Sequence, residues 1–145
     1  METSKWQISE VLLADDDEED ILFFREALSI ISTGFTFAFE KNGQNLLKRL
    51  EVNVPDLLFL DLHMPVINGN DCLLRIRSNK KLDLLPVIIY STSSHLNSID
   101  ECYRNGANGY IIKPFSFDNI IVALMLSLQK DWKTEKIREQ FLVNS

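Results

Sequence analysis

The sequence predicts an α/β sandwich built on a five-stranded parallel sheet, and two features of the chain predict it. Short apolar runs alternate with longer amphipathic stretches five times over, and three of those runs are unbroken: Val11 to Ala14, Leu57 to Leu60 and Val87 to Tyr90. Strands wetted on one face alternate apolar with polar residues, whereas strands covered on both faces read as continuous apolar segments. Helices on both sides of a parallel sheet satisfy that pattern.

The predicted strands are residues 8–14, 35–40, 57–60, 87–90 and 109–112. After the first, Ile21, Phe24, Leu28 and Ile31 recur at helical spacing and give one apolar face. Residues 44–50, 71–78 and 97–105 are shorter helices, the last stopped by Gly106, a residue suited to ending a helix. Ser116 is placed to cap a final helix whose stripe is Phe117, Ile120, Ile121, Leu124 and Leu128. Strand-then-helix units with short connections wind right-handed, and their chemistry gathers at the carboxyl ends of the strands.

Residues 1–130 account for one domain, about the usual size for a single core. Residues 131–145 are a C-terminal helical extension or tail, mixing charges with Trp132, Ile137, Phe141 and Leu142. The tail has the makings of a homodimer contact or of a helix folded back on its own domain. With 46% hydrophobic and 25% charged residues the composition is that of a globular protein. A net charge of −6 and no basic cluster beyond Lys80-Lys81 and the tail argue against nucleic-acid binding. The first residues, Met1 to Trp6, lack a signal pattern, and no apolar run approaches the roughly 18 residues of a membrane span. Cys72 and Cys102, with no CxxC, read as reduced thiols of a cytoplasmic protein.

Three strands deliver charge to one rim. The first runs into Asp15-Asp16-Asp17, the third into Asp61 and the fifth into Lys113. Each alone is an ordinary loop or cap residue. Together, carboxylates brought this close are costly to ionise unless a cation intervenes, and a hard ion such as Mg²⁺ with oxygen ligands relieves them. Lys113 adds a charge suited to a phosphoryl oxygen, or a structural salt bridge to a strand-end Asp.

The string Leu60-Asp61-Leu62-His63-Met64-Pro65-Val66-Ile67-Asn68-Gly69 resembles the phosphoacceptor segment of two-component response-regulator receiver domains. Gly106-Ala107-Asn108-Gly109-Tyr110-Ile111-Ile112-Lys113-Pro114-Phe115 is similar to the same family's lysine segment, and the likeness spans about residues 8–130. The resemblance implies a (βα)₅ doubly wound, flavodoxin-like fold and a single-domain regulator of the CheY-like, stand-alone kind. It implies that Asp61 accepts a phosphoryl group from a sensor histidine kinase or phosphotransfer protein. Asp15 and Asp16, which directly follow the strand, would hold Mg²⁺ with Asp61 and the backbone carbonyl of His63. Lys113 would pair with the phosphoryl group, and the Lys113–Pro114 bond would be cis. Ser91, the first residue after the fourth strand by spacing, would be the hydroxyl that moves to the phosphoryl oxygen, and Tyr110 the aromatic that swings inward with it. Thr92 stands where the family often has a smaller residue, and the His63 side chain reads as an exposed imidazole rather than a base.

The resemblance further implies signalling through a downstream protein that docks on the fourth helix, fifth strand and fifth helix. It is strongest to receivers that sit beside phytochrome-type or hybrid sensor kinases. Such a chain is the substrate of its own reaction, not an enzyme. A haloacid-dehalogenase-type phosphatase would need a second Asp where His63 stands. A flavin site would need a phosphate cradle where the acidic run stands. The alternative that keeps the fold is an interaction module that works without phosphorylation.

Overall fold

The computed structural model describes residues 7–134 and 136–144; the amino-terminal residues read for a signal pattern lie outside them. In chain order the elements are β1 (Glu10–Ala14), α1 (Glu18–Ile31), β2 (Thr36–Glu40), α2 (Gly43–Val52), β3 (Leu57–Leu60), α3 (Gly69–Ser78), β4 (Val87–Ser91), α4 (Leu96–Arg104), β5 (Gly109–Ile112) and α5 (Phe117–Gln129), with 3₁₀ turns at Lys80–Leu82 and Arg138–Gln140. The five strands form one parallel sheet in the order β2-β1-β3-β4-β5.

Side chains of a strand alternate between faces, and here they divide into two cores. Leu12, Leu58, Leu60, Val87 and Ile89 pack under Leu46, Leu73, Ile76 and Ile99 of α2, α3 and α4. Val11, Leu13, Leu57, Phe59 and Ile88 pack under Phe24, Leu28, Ile120 and Leu124 of α1 and α5. Both faces of the central strands are dry, which is why their sequences are unbrokenly apolar.

Helix starts differ from the sequence reading by up to two residues because caps, not apolar periodicity, set them. Asn42 accepts from Asn45 N and Asn68 from Asp71 N, so α2 and α3 begin at Gly43 and Gly69. Ser116 caps α5 through Asn119 N as expected. Gly106 ends α4 at φ +100°, a backbone angle that favours glycine. Below it the half-buried Arg77 donates to the carbonyls of Gly106, Leu82 and Leu85 and to Asn108 Oδ1, tying α3 to the foot of β5. Cys72 and Cys102 are free and buried, and burial pushes the Cys72 thiol up to about 11, so it stays neutral and unreactive.

Two expectations are corrected. All peptide bonds of the described residues are trans, Lys113–Pro114 included; trans is the lower-energy form of an X–Pro amide by about 0.5–1 kcal/mol. The chain after α5 does not continue as a helix. It turns at Lys130, makes one 3₁₀ turn, and runs along β5 as an extended strap that bridges Leu142 to Tyr110. Of the two readings, helical extension or tail, the structure has the tail: its apolar residues Phe141 and Leu142 belong to a segment whose main chain pairs with the sheet edge.

Candidate functional site

The polar residues singled out in the sequence lie at the carboxyl rim, and main-chain bonds hold them there. The sheet ladder continues past each strand end: Asp15 N donates to Glu40 O (3.0 Å), Asp61 N to Ala14 O (2.9 Å) and Lys113 N to Ser91 O (2.7 Å). Asp17 turns its carboxylate back on the first turn of α1, accepting from Glu19 N and Asp20 N. It is thereby committed as an N-cap, and Asp16 is left at the rim.

Asp15, Asp16 and Asp61 each present a carboxylate oxygen, all within 4.8 Å of one another. Asp15 is wholly buried and Asp61 nearly so, while Asp16 is exposed. Burial drives the Asp15 carboxyl up to about 7; the Asp17 N–H and Lys113 oppose this, and Asp61 adds to it. Burial also raises Asp61, against the pull of Lys113 and of the His63 N–H, which donates to its Oδ1 at 3.2 Å. One buried oxygen, Asp15 Oδ2, accepts no hydrogen bond, although Lys113 Nζ stands 2.9 Å from it as an ion pair. Three carboxylate oxygens crowded together, two of them on buried side chains, fit a hard divalent cation.

Lys113 Nζ lies 2.8 Å from Asp20 Oδ2 and 3.5 Å from Asp61 Oδ2. Burial works against its charge, but Asp20, Asp15 and Asp61 outweigh burial and hold the ammonium well above the usual lysine range. Asp20 was missed in the sequence. An acid in the first turn of a helix reads as a partner of the helix dipole, and no local signal ties it to a lysine 93 residues away.

Ser91 ends β4 with its side chain fully buried, and its Oγ accepts from Ser93 N at 3.2 Å. Tyr110 points into the core, also fully buried, and its hydroxyl donates to Ser93 O at 2.8 Å. The His63 and Thr92 side chains line an open groove beside the acids with Asp16, Asn68 and His95, and both are exposed.

The loop after Asp61 is tightly built. A Cβ on Gly69 would meet the main-chain Asp61 O at 2.2 Å, so only glycine lets α3 start this close to the backbone that follows β3. Val66, three residues earlier, has φ 69°, a left-handed conformation that is costly for a β-branched residue. Val66→Asn should therefore raise stability by about 0.5–1 kcal/mol, read as a higher urea midpoint at unchanged slope. An unchanged or lower midpoint would refute strain at this position.

Comparison with known proteins follows the same line. The model for "Response regulator receiver domain" matches residues 11–125. The methanogenesis regulatory protein FilR2 of Methanothrix harundinacea, a probable assignment by its own description, is 28% identical over 118 residues, covering 76% of this chain and 75% of its own. The DNA-binding transcriptional regulator NtrC of Escherichia coli is 32% identical over 111 residues, 77% of this chain but only 23% of NtrC. The crystal structure of the phosphorylated cyanobacterial phytochrome response regulator RcpA superposes with a TM-score of 0.77 at 25% identity, covering 88% of this chain and 95% of that one.

Proposed function

Because this chain belongs to the response regulator receiver domain family, we propose that it takes a phosphoryl group onto Asp61 from a phosphohistidine of a histidine kinase or phosphotransfer protein, and that the adduct changes the shape of its outer surface. The likeness to RcpA supports this reading. The observation that carries it is a buried Asp61 carboxylate set between two further acids and an ammonium 3.5 Å away.

In the reaction an Asp61 oxygen attacks phosphorus in line. The O–P bond forms as the P–N bond to the donor imidazole breaks, and the electron pair returns to the ring nitrogen. Asp15, Asp16 and the backbone carbonyl of His63 would hold a Mg²⁺ with Asp61; when bound, that ion supplies positive charge to the phosphoryl oxygens. Lys113 contributes a second positive charge, at a position fixed by the end of β5. Ser91 then donates its hydroxyl to a phosphoryl oxygen, and the Tyr110 ring, already buried, is favoured in that inward position. The chain is consumed and regenerated as a substrate, with water hydrolysing the acyl phosphate. We read residues 1–130 as the receiver unit and 131–145 as an appended tail. Output would come from docking of a protein on α4, β5 and α5. No helix among the described residues is long and apolar enough to cross a membrane; the proposed setting, beside a kinase in the cytoplasm, suits two free thiols.

Incubation of the protein with acetyl phosphate and Mg²⁺, followed by intact mass and peptide mapping, tests the reading. One phosphoryl increment on the peptide holding Asp61, lost when the metal is chelated beforehand, is expected. No increment under any metal condition refutes it.

Asp20 gives a sharper expectation. Lys113 is closer to Asp20 than to Asp61 in the resting protein, so reaching a phosphoryl group requires leaving a carboxylate. Asp20→Asn should raise the initial rate of phosphoryl capture by roughly 2- to 5-fold, the range for a partly exposed ion pair. A slower rate would mean that Asp20 aims Lys113 rather than restraining it.

A further inference from the structure

Resting on the reading above, we propose that residues 136–144 are a built-in strap that holds Tyr110 inward, with Phe141 as the positioning residue, so that strap docking and phosphorylation of Asp61 favour each other.

β5 is an edge strand, and its outward N–H and C=O groups need partners. The strap supplies them. Tyr110 N donates to Phe141 O at 3.0 Å, and Val143 N donates to Tyr110 O at 2.8 Å. One step further on, the Asn144 side-chain amide takes the place of a peptide group: Ile112 N donates to its Oδ1 (3.0 Å) and its Nδ2 donates to Ile112 O (2.7 Å). The strap thus extends the sheet by a short sixth segment, pairing as augmented strands do.

Its other end is anchored on α4. Lys136 Nζ donates to the carbonyls of Tyr103 and Ala107, lying 4.1 Å from the Tyr103 ring centroid. Arg138 binds Asp100 through Nε and Nη2. Between these anchors Phe141 is 1% exposed, its ring 5.2 Å from that of Tyr103 and 6.3 Å from that of Tyr110. This burial is too complete for a loose tail.

Tyr110 is therefore gripped on every side. The strap holds its backbone N and O, Phe141 packs on its ring, and Ser93 O accepts from its hydroxyl. Ser93 N in turn donates to Ser91 Oγ. A contiguous set of contacts runs from the rim to the strap: Ser91, Ser93, Tyr110, Phe141. A ring leaving toward the β5 edge has to displace Phe141. The strap and the phosphoryl group consequently select the same inward Tyr110, and by linkage each strengthens the other by the same factor.

The test uses the full chain and three variants, Phe141→Ala, Phe141→Leu and Asn144→Ala. In the wild type, phosphorylation with acetyl phosphate and Mg²⁺ should slow hydrogen exchange at the Tyr110, Ile112 and Val143 amides by about 5-fold or more. Phe141→Ala should slow phosphoryl capture by a like factor, and Phe141→Leu, which refills the pocket, should restore most of it. Asn144→Ala removes two edge hydrogen bonds without touching the core, so it reports the coupling even if Phe141→Ala fails to fold. Faster exchange at those amides on phosphorylation overturns the proposal, as does capture at the wild-type rate in Asn144→Ala and in a folded Phe141→Ala. A wild type that takes no phosphoryl group overturns this inference together with the proposed function, whereas a wild type that does, beside indifferent variants, overturns the strap alone.

Discussion

Asp61→Asn is expected to leave no phosphoryl increment on the protein, at any concentration of acetyl phosphate or Mg²⁺, while keeping the fold intact. The substitution preserves shape, so the new amide side chain should sit at the end of β3 with the main-chain N of this position still bonded to Ala14 O. What it removes is the attacking oxygen's charge, and an amide oxygen is too weak a nucleophile to displace acetate from the phosphorus of acetyl phosphate. It also removes one anion from a crowded, dehydrated site where burial already holds Asp61 above its ordinary range. The variant should for that reason be no less stable than the wild type at neutral pH in the absence of metal. Intact mass and urea unfolding of the same samples read both halves. An increment of equal size in Asp61→Asn would move the acceptor elsewhere and end the assignment.

The second large effect is at Asp15, where binding and stability should move in opposite directions. The folded protein holds this carboxyl at about 7 against an ordinary value of 3.8, chiefly through burial. Between those values the folded state binds more protons than the unfolded state, so metal-free stability falls as pH rises from about 4 to 7 and then levels. Full linkage for such a displacement is on the order of 4 kcal/mol. That net displacement already includes the opposing pull of Lys113. Asp15→Asn lacks the ionisation and loses that penalty. It should match the wild type near pH 4 and exceed it by about 1–3 kcal/mol at pH 8 without metal. The same change should weaken Mg²⁺ binding at least about tenfold, since it takes an anionic oxygen from the ligand set. Calorimetric titration of the wild type near pH 7 should also show proton release on metal binding, as a shared proton gives way to the cation. A variant less stable than the wild type at pH 8 would show that the Lys113 pair outweighs burial.

The fold was readable because its strongest signals are local. Leu57 to Leu60 is unbroken because both faces of β3 are covered, and Ser116 announces α5 by the one bond it makes to Asn119 N. The rim was readable for a related reason: a polar residue directly after an apolar strand has nowhere to go but the sheet's end, so Asp15, Asp61 and Lys113 could be placed without knowing any distance. Ser91 was placed by the same argument, although β4 extends to include it. What escaped depends on contacts between distant parts of the chain. The Asp20–Lys113 bond joins a helix start to a strand end, and each residue alone has an adequate local explanation. The strap escaped because apolar residues scattered among charges, as at Trp132, Ile137, Phe141 and Leu142, carry no mark of an extended segment, and because its partners are main-chain groups of β5, which any sequence possesses.

The three ladder bonds that reach beyond the strand ends have a consequence for how this molecule tolerates drift. They are made by peptide groups, so they survive the exchange of almost any side chain in the layers beneath. Leucines can become valines or phenylalanines under the helices, and the spacing between the rim's charges is still dictated by the repeat of the sheet. The reacting atoms are in effect mounted on a lattice that natural variation cannot easily bend, leaving the exposed loops free to diversify toward new partners.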